Sequence, residues 1–293
     1  MIKIQLASLL LLLSFAVHAQ TEYYSLNSPD SNVHWKVKPQ AETDTDSLQL
    51  FRSDYPLKDW VDAIVPGTVF SSYVAAGLEK DPNFGDNIYQ VDKTKYDRSY
   101  WYRTEFSVPA SFTQEKIWLH FQGINRRGEV FLNGHHLGLL DGFMHRGKFD
   151  ITALINPGGR NVLAVLVQTP QHPMANFASP TYICSGGWDW IPYVPGLNSG
   201  ITDKVFLSNS GPVTLEDPWI RTLLPTNARA DLVIAVTAKN NSSAQQEVTL
   251  KGVIQPGNIE FSQKISIAPH RSAEIKLDKS DFPQLVIHNP LLW

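Results

Sequence analysis

The chain has 293 residues, 43 % hydrophobic and 18 % charged, with a formal net charge of −3. That length carries two domains of ordinary size, each able to bury a core, and the mix excludes a chain dominated by disorder. The near-neutral charge, with no basic stripe, excludes nucleic acid as a partner.

The first element in chain order is a leader. Lys3 supplies a positive start and Leu6 to Val17 an apolar run too short to span a bilayer comfortably. Val17 and Ala19 place small residues at −3 and −1 of a cleavage site, so residues 1–19 read as a signal peptide and Gln20 as the mature start. No cysteine follows that site, so no lipid anchor is expected. No later apolar run is long enough for a membrane helix, and an exported, periplasmic or extracellular location follows as an expectation. Cys184 is the single cysteine, so an internal disulfide is excluded and stability must come from packing.

After the leader the texture is β. Pro66-Gly67 precedes one short helical stretch, Thr68 to Ala76, closed by Gly77. Strand patterns then run over Trp101–Val108, Lys116–Ile124, Glu129–Asn133, Asn161–Thr169 and Asp203–Asn209, all rich in β-branched, aromatic or leucine residues. Asn133-Gly134 signals a two-residue type I′ hairpin turn. Two long loops, Gly77–Ser99 and Pro170–Gly200, separate these strands, and long irregular loops in a compact domain are usually functional. Asn209–Trp219 reads as a linker. Beyond it, four evenly spaced alternating segments within 231–279 read as an immunoglobulin-type sandwich. Such a sandwich needs about seven strands. Only five or six are legible here, so it is expected to be incomplete, with the chain cut at its C-terminal side.

Three segments invite a chemical reading. "GGWDWIPYVPG" (Gly186–Gly196) sets Trp188 and Trp190 around Asp189. Aromatic faces stack on the C–H face of a sugar ring, and a carboxylate accepts hydrogen bonds from hydroxyls. The competing reading has one tryptophan anchoring the loop and Asp189 capping a turn. "DPNFGDN" (Asp81–Asn87) carries Phe84 at its tip and reads equally as an ordered Ω-type loop. Arg126 and Arg127 are adjacent, and one ion pair plus one solvated arginine accounts for them. His135 and His136 lie side by side on a strand and point to opposite faces, and no other histidine spacing suits a metal. There is no P-loop, GxGxxG or GxSxG, so no cofactor is expected. No pair of carboxylates set for glycoside hydrolysis is legible.

Taken together, "VPGTVFSSYVAAG", "DPNFGDN", "YWYRTEFSVP", "LHFQGINRRGEVFLNGHHLG", "GKFDIT", "NVLAVLV", "GGWDWIPYVPGLNSGI" and "GPVTLEDPWI" resemble the N-terminal part of glycoside hydrolase family 2. The branch they resemble is that of the β-mannosidases and exo-β-glucosaminidases. The resemblance implies an all-β chain. A galactose-binding-like jelly-roll sandwich would occupy residues 20–210, and an immunoglobulin-like sandwich, C-terminally truncated, residues 211–293. In the family a (β/α)₈ barrel follows and carries both catalytic glutamates, the proton donor usually after an asparagine. This sequence has no Asn-Glu dipeptide, so no catalytic residue is expected in it. The resemblance further implies substrate contact by Asp189, with Trp188 or Trp190 shaping the pocket wall and Phe84 and Asn87 at the same interface. The partner would be a carbohydrate with a β-linked terminal sugar. Where the branch usually has Asp-Arg-Asn after this loop's second proline, the chain has Gly196-Leu197-Asn198, and Thr202 stands where a tryptophan is usual. These departures leave the sugar specificity open. The alternative is a free-standing carbohydrate-binding module without hydrolase activity.

Overall fold

The structure is a computed structural model, and it describes residues 22–28, 33–43, 49–110, 112, 116–142, 144–169 and 198–291. The first unit contains β1 (Tyr23–Ser25), β2 (His34–Pro39), β3 (Val61–Ala63), α1 (Val69–Ala75), α2 (Asn87–Gln90), β4 (Tyr100–Ser107) and β5 (Lys116–Phe121). It continues with β6 (Arg127–Leu132), β7 (His135–Asp141), β8 (Gly147–Asp150), β9 (Arg160–Gln168) and β10 (Val205–Ser210). Two antiparallel sheets result. One is six-stranded, in the order β3-β2-β4-β9-β6-β7, and the other four-stranded, β1-β10-β5-β8. Each sheet is wide enough to cover the other, and the core between them includes Trp35, Tyr102, Phe121, Leu132 and Val165, all buried. This is the all-β sandwich expected from the alternating patterns.

β4 shows why the alternation is imperfect. Tyr100, Tyr102 and Phe106 face the inter-sheet core, while Trp101 joins a smaller cluster with Leu50, Trp60, Ala164 and Leu166 on the opposite face. The 49–60 segment lies over that face, so β4 is buried on both sides and loses its polar alternate positions. Arg103 fastens the segment. Its fully buried guanidinium donates from Nε to the Leu50 carbonyl (2.9 Å) and from Nη2 to the Arg52 carbonyl (2.7 Å) and Glu105 Oε1 (2.7 Å).

The local devices follow the sequence signals. Thr68 Oγ1 caps α1 by accepting from the Ser71 amide, Ser71 Oγ accepts in return from the Thr68 amide, and Gly77 (φ 72°) closes the helix. Asn133 (φ 50°) and Gly134 (φ 84°) take the left-handed pair that a type I′ turn requires, between β6 and β7.

The second unit contains β11 (Val213–Thr226), β12 (Arg229–Asn240), β13 (Gln246–Ile254), β14 (Ile259–Ile267), β15 (Ser272–Leu277) and β16 (Val286–His288). β12 pairs with β11 on one side and with β15 and β16 on the other, while β13 and β14 form a separate two-stranded sheet. Ile234, Val236, Ala238, Ile267, Ile275, Leu277 and Leu285 form the core.

The Asn209–Trp219 linker needs correction. Ser210 is still in β10, and Val213 already begins β11. Asp217-Pro218 reads as a turn, but here it sits at a β-bulge between Glu216 and Trp219, with Asp217 at φ 51°. β11 is an edge strand among the described residues, and an edge strand tolerates proline at such a bulge.

Candidate functional site

Of the sequence-predicted site residues, Phe84 and Asn87 lie in a connection at one end of the jelly roll. The strand registers establish this: Tyr100 lies opposite Val167, Arg127 opposite Gln168 and Asp141, and Gly147 opposite Phe121, which faces Val205. The connections 76–99 and 122–126 and the two ends of 142–146 and 169–204 therefore lie on the same side.

The 76–99 connection is fastened at its base and exposed at its tip. The Tyr96 hydroxyl donates to Glu79 Oε1 (3.0 Å), and Lys95 Nζ pairs with the same oxygen (3.0 Å). Burial, and then the Glu79 carboxylate, push the Tyr96 phenol well above its ordinary pKa, so it remains a donor. Its ring packs edge-on against Phe70 and Tyr73 under α1, at 5.3 and 5.8 Å. Arg98 donates to the Lys95 carbonyl (2.9 Å) and pairs with Glu42 (2.9 Å).

Further out, the Asp81 carboxylate accepts from the Asn83 amide (2.9 Å), and Asn87 Nδ2 donates to the Asp81 carbonyl (2.9 Å). These bonds turn the chain so that Phe84 is presented 77 % exposed, with Tyr89 76 % exposed three residues after Asp86. Asn87 is half-buried at the start of α2 and lines a shallow cleft of about 260 Å³ with Leu78, Lys80 and Gln90.

The connection carrying Trp188, Asp189 and Trp190 leaves from Gln168. Those three residues, with Cys184, lie outside the described residues. Its return is described from Asn198 onward. The Asn125 and Gly200 backbones exchange two hydrogen bonds of 2.9 Å, and Asn125 Nδ2 donates to the Asn198 carbonyl (3.0 Å). The Val69 amide donates to the Ser199 carbonyl (2.9 Å), which ties the same foot to the start of α1. A side chain at Gly200 would stand 2.4 Å from the Gly67 carbonyl oxygen, so only glycine permits this approach.

Beside that foot, Arg126 Nε lies 3.3 Å from Asp141 Oδ1, while Arg127 is exposed, as the ion-pair reading expected. Sequence reasoning did not single out Tyr89 or Asp141. The short helical turn Asn87–Gln90 that presents Tyr89 has too few residues to show a period.

Glu42, Glu79, Asp86 and Asp141 are each engaged by Arg98, Lys95 with Tyr96, Gln90 and Arg126 respectively. Among the described residues no group of three or more His, Cys, Asp or Glu is placed to hold a metal ion, and no helix is long and apolar enough to cross a membrane.

Comparisons with known proteins agree with this architecture. The chain is 30 % identical over 265 residues to an exo-beta-D-glucosaminidase of Streptomyces avermitilis, a match covering 88 % of this chain and 28 % of that protein. It is also 30 % identical over 291 residues to a mannosylglycoprotein endo-beta-mannosidase of Lilium longiflorum, covering 88 % of this chain and 30 % of the relative. The crystal structure of the Amycolatopsis orientalis exo-chitosanase superposes with a TM-score of 0.75 at 22 % identity, over 93 % of this chain and 30 % of that one. The Dictyoglomus thermophilum beta-D-mannosidase superposes at 0.68 and 23 % identity, over 93 % of this chain and 32 % of that one. The chain thus spans less than a third of the length of these proteins. Residues 35–203 match the family described as glycosyl hydrolase 2 galactose-binding domain-like, and the chain belongs to that family.

Proposed function

We propose that the chain is the non-catalytic N-terminal part of an exported family 2 glycosidase, and that it forms one rim of the active site. The enzyme would be a retaining exo-glycosidase acting on a β-linked mannose or glucosamine residue. A (β/α)₈ barrel in the same polypeptide would supply the nucleophile and the acid/base. The leader at residues 1–19 supports export.

The observation that supports this reading is that the connection carrying Phe84, Asn87 and Tyr89 emerges at the same end of the jelly roll as the two feet of the connection that carries Asp189. Exposed Phe84 and Tyr89 offer apolar faces without a reactive group beside them. Asp189 would accept hydrogen bonds from a hydroxyl of the terminal sugar, Trp188 or Trp190 would wall the pocket, and Phe84 with Asn87 would meet the barrel rim. The relatives named for glucosaminidase and mannosidase activity support the sugar classes.

The test has two arms. The chain alone is expected to release no nitrophenol from aryl β-mannosides or β-glucosaminides, and measurable turnover would overturn the non-catalytic reading. In the longer polypeptide, Asp189→Ala is expected to lower kcat/KM by about tenfold or more, the scale of one lost charge-assisted hydrogen bond. An unchanged kcat/KM would remove Asp189 from the site.

A further inference from the structure

Arg103 fastens the 49–60 segment through Nε and Nη2, and its third nitrogen is left over. Nη1 is buried and has no hydrogen-bond partner among the described residues. The whole side chain is 0 % exposed. A buried guanidinium nitrogen without an acceptor is costly, because it has given up water and gained nothing in exchange. Leu50, Arg52, Tyr55 and Glu105 surround the group, so its enclosure owes nothing to either end of the chain.

Arg103 forms the floor of a pocket of about 390 Å³ on the outer face of the six-stranded sheet, lined also by His34, Lys36, Ser53, Tyr55, Leu57 and Arg160. His34 lies opposite Glu105 and Arg160 opposite Ser107, so the pocket sits at the end of the sheet away from Tyr100 and the Phe84 connection. The acceptors around it are already used. Glu105 Oε1 accepts from Arg103 Nη2 (2.7 Å), and Oε2 lies 3.3 Å from Arg160 Nη1. The Thr104 hydroxyl donates to the His34 carbonyl (2.8 Å). Lys36 Nζ pairs with Asp62 Oδ1 (2.8 Å), whose side chain is largely exposed. Three cations, Lys36, Arg103 and Arg160, therefore stand against two carboxylates, Glu105 and Asp62.

We propose that this pocket binds a small monocarboxylate carried on a compact ring, such as a hexuronic acid. A carboxylate is planar and matches a guanidinium. One oxygen would accept from Arg103 Nη1, and the other would face Arg160, whose side chain stands largely exposed at the mouth. A single negative charge balances the one positive charge in excess, while a phosphate dianion brings too much. Tyr55 and Leu57 are half-buried and supply an apolar wall for the C–H face of a ring. Entry requires the Tyr55 ring, centred 5.9 Å from the Arg103 Cζ, to shift, and its neighbours Arg52, Ser53, Asp54 and Pro56 are all exposed. This inference does not rest on the proposed function.

The experiment is calorimetric titration of the chain from Gln20 to Trp293 with sodium glucuronate at low ionic strength, with glucose and inorganic phosphate as comparisons. Saturable one-to-one binding of glucuronate is expected, with no heat from glucose and an affinity for phosphate about tenfold lower or less. In the ¹⁵N-labelled chain, the Arg103 Nε–H resonance should shift with glucuronate and saturate with it. Arg103 itself is left in place, because its bonds hold the segment. Ser53→Glu puts a carboxylate on the exposed wall and should weaken binding about tenfold or more, with the urea midpoint unchanged or raised. Arg160→Gln should weaken it about threefold. An absence of saturable binding would overturn the proposal and leave Nη1 to solvent. Equal affinity for phosphate would overturn it in favour of an unselective cationic patch. Binding indifferent to both substitutions would place the ligand elsewhere and also overturn it. So would loss of binding in any longer polypeptide, which would mean that another part of the protein fills the pocket.

Discussion

The two sandwiches of this chain obey the same packing rule with different results. In the jelly roll, six strands face four, and the strands between them are buried along their length. In the second sandwich, the sheet built on β12 faces two strands among the described residues, and every inner residue of β13 is half-buried. A sheet closes a core only as far as its partner is wide, so equal alternation gives unequal burial.

The largest way to break that comparison is in the cores. Trp35 is 1 % exposed and donates from Nε1 to the Leu26 carbonyl at 2.7 Å. Trp35→Ala is expected to cost about 3–5 kcal/mol, while Leu250→Ala on the half-buried face of β13 should cost about 1–2 kcal/mol. Urea unfolding followed by tryptophan fluorescence and circular dichroism would measure both. Equal costs would mean that the second core is as closed as the first.

A smaller effect lies in the four-stranded sheet. The His120 ring stacks on Phe206 at 4.5 Å and its Nε2 lies 2.8 Å from Ser208 Oγ. Burial, aided by the Lys148 ammonium, lowers its pKa from 6.5 to about 4. The unfolded chain therefore binds a proton that the folded chain refuses. This contribution to stability is complete above pH 6.5 and is lost as pH falls from there toward about 4. His120→Gln should flatten the urea midpoint across that window relative to the unsubstituted chain. A parallel loss in both proteins would assign the slope to other groups.

The smallest expected effect sits between the two units. Lys148 Nζ reaches Glu216 Oε1 of β11 at 3.0 Å and lies 4.4 Å from the Trp118 ring centroid. The pair is partly exposed, so Lys148→Met should cost less than about 1 kcal/mol. If the units melt separately, it should bring neither transition down by more than a few degrees. A large shift would mean that the units unfold together.

Much of this was legible in the residues, and the losses have physical causes. The strand β12 and the hairpin at Asn133-Gly134 follow from alternation and turn chemistry alone. The strand β11 was hidden because Asp217-Pro218 imitates a turn when it is a bulge in an edge strand of the described residues. At the candidate site, Phe84 was visible as an aromatic tip in a turn-rich segment. Asp141 was not, because its pairing with Arg126 depends on β6 and β7 bringing distant positions together. The return of the Asp189 connection depends on Gly200, whose need for close approach to Gly67 belongs to the fold and not to the local pattern.

The central claim, that this chain is one part of a longer exported glycosidase, is tested most directly by the mass of the native polypeptide. An antibody raised against the jelly roll would detect it in blots of source cells and their secreted fraction. The account predicts a single exported species several tens of kilodaltons heavier than the 32.9 kDa of this chain. A species at or just below that mass would contradict it and would leave a free-standing carbohydrate-binding module as the function to pursue.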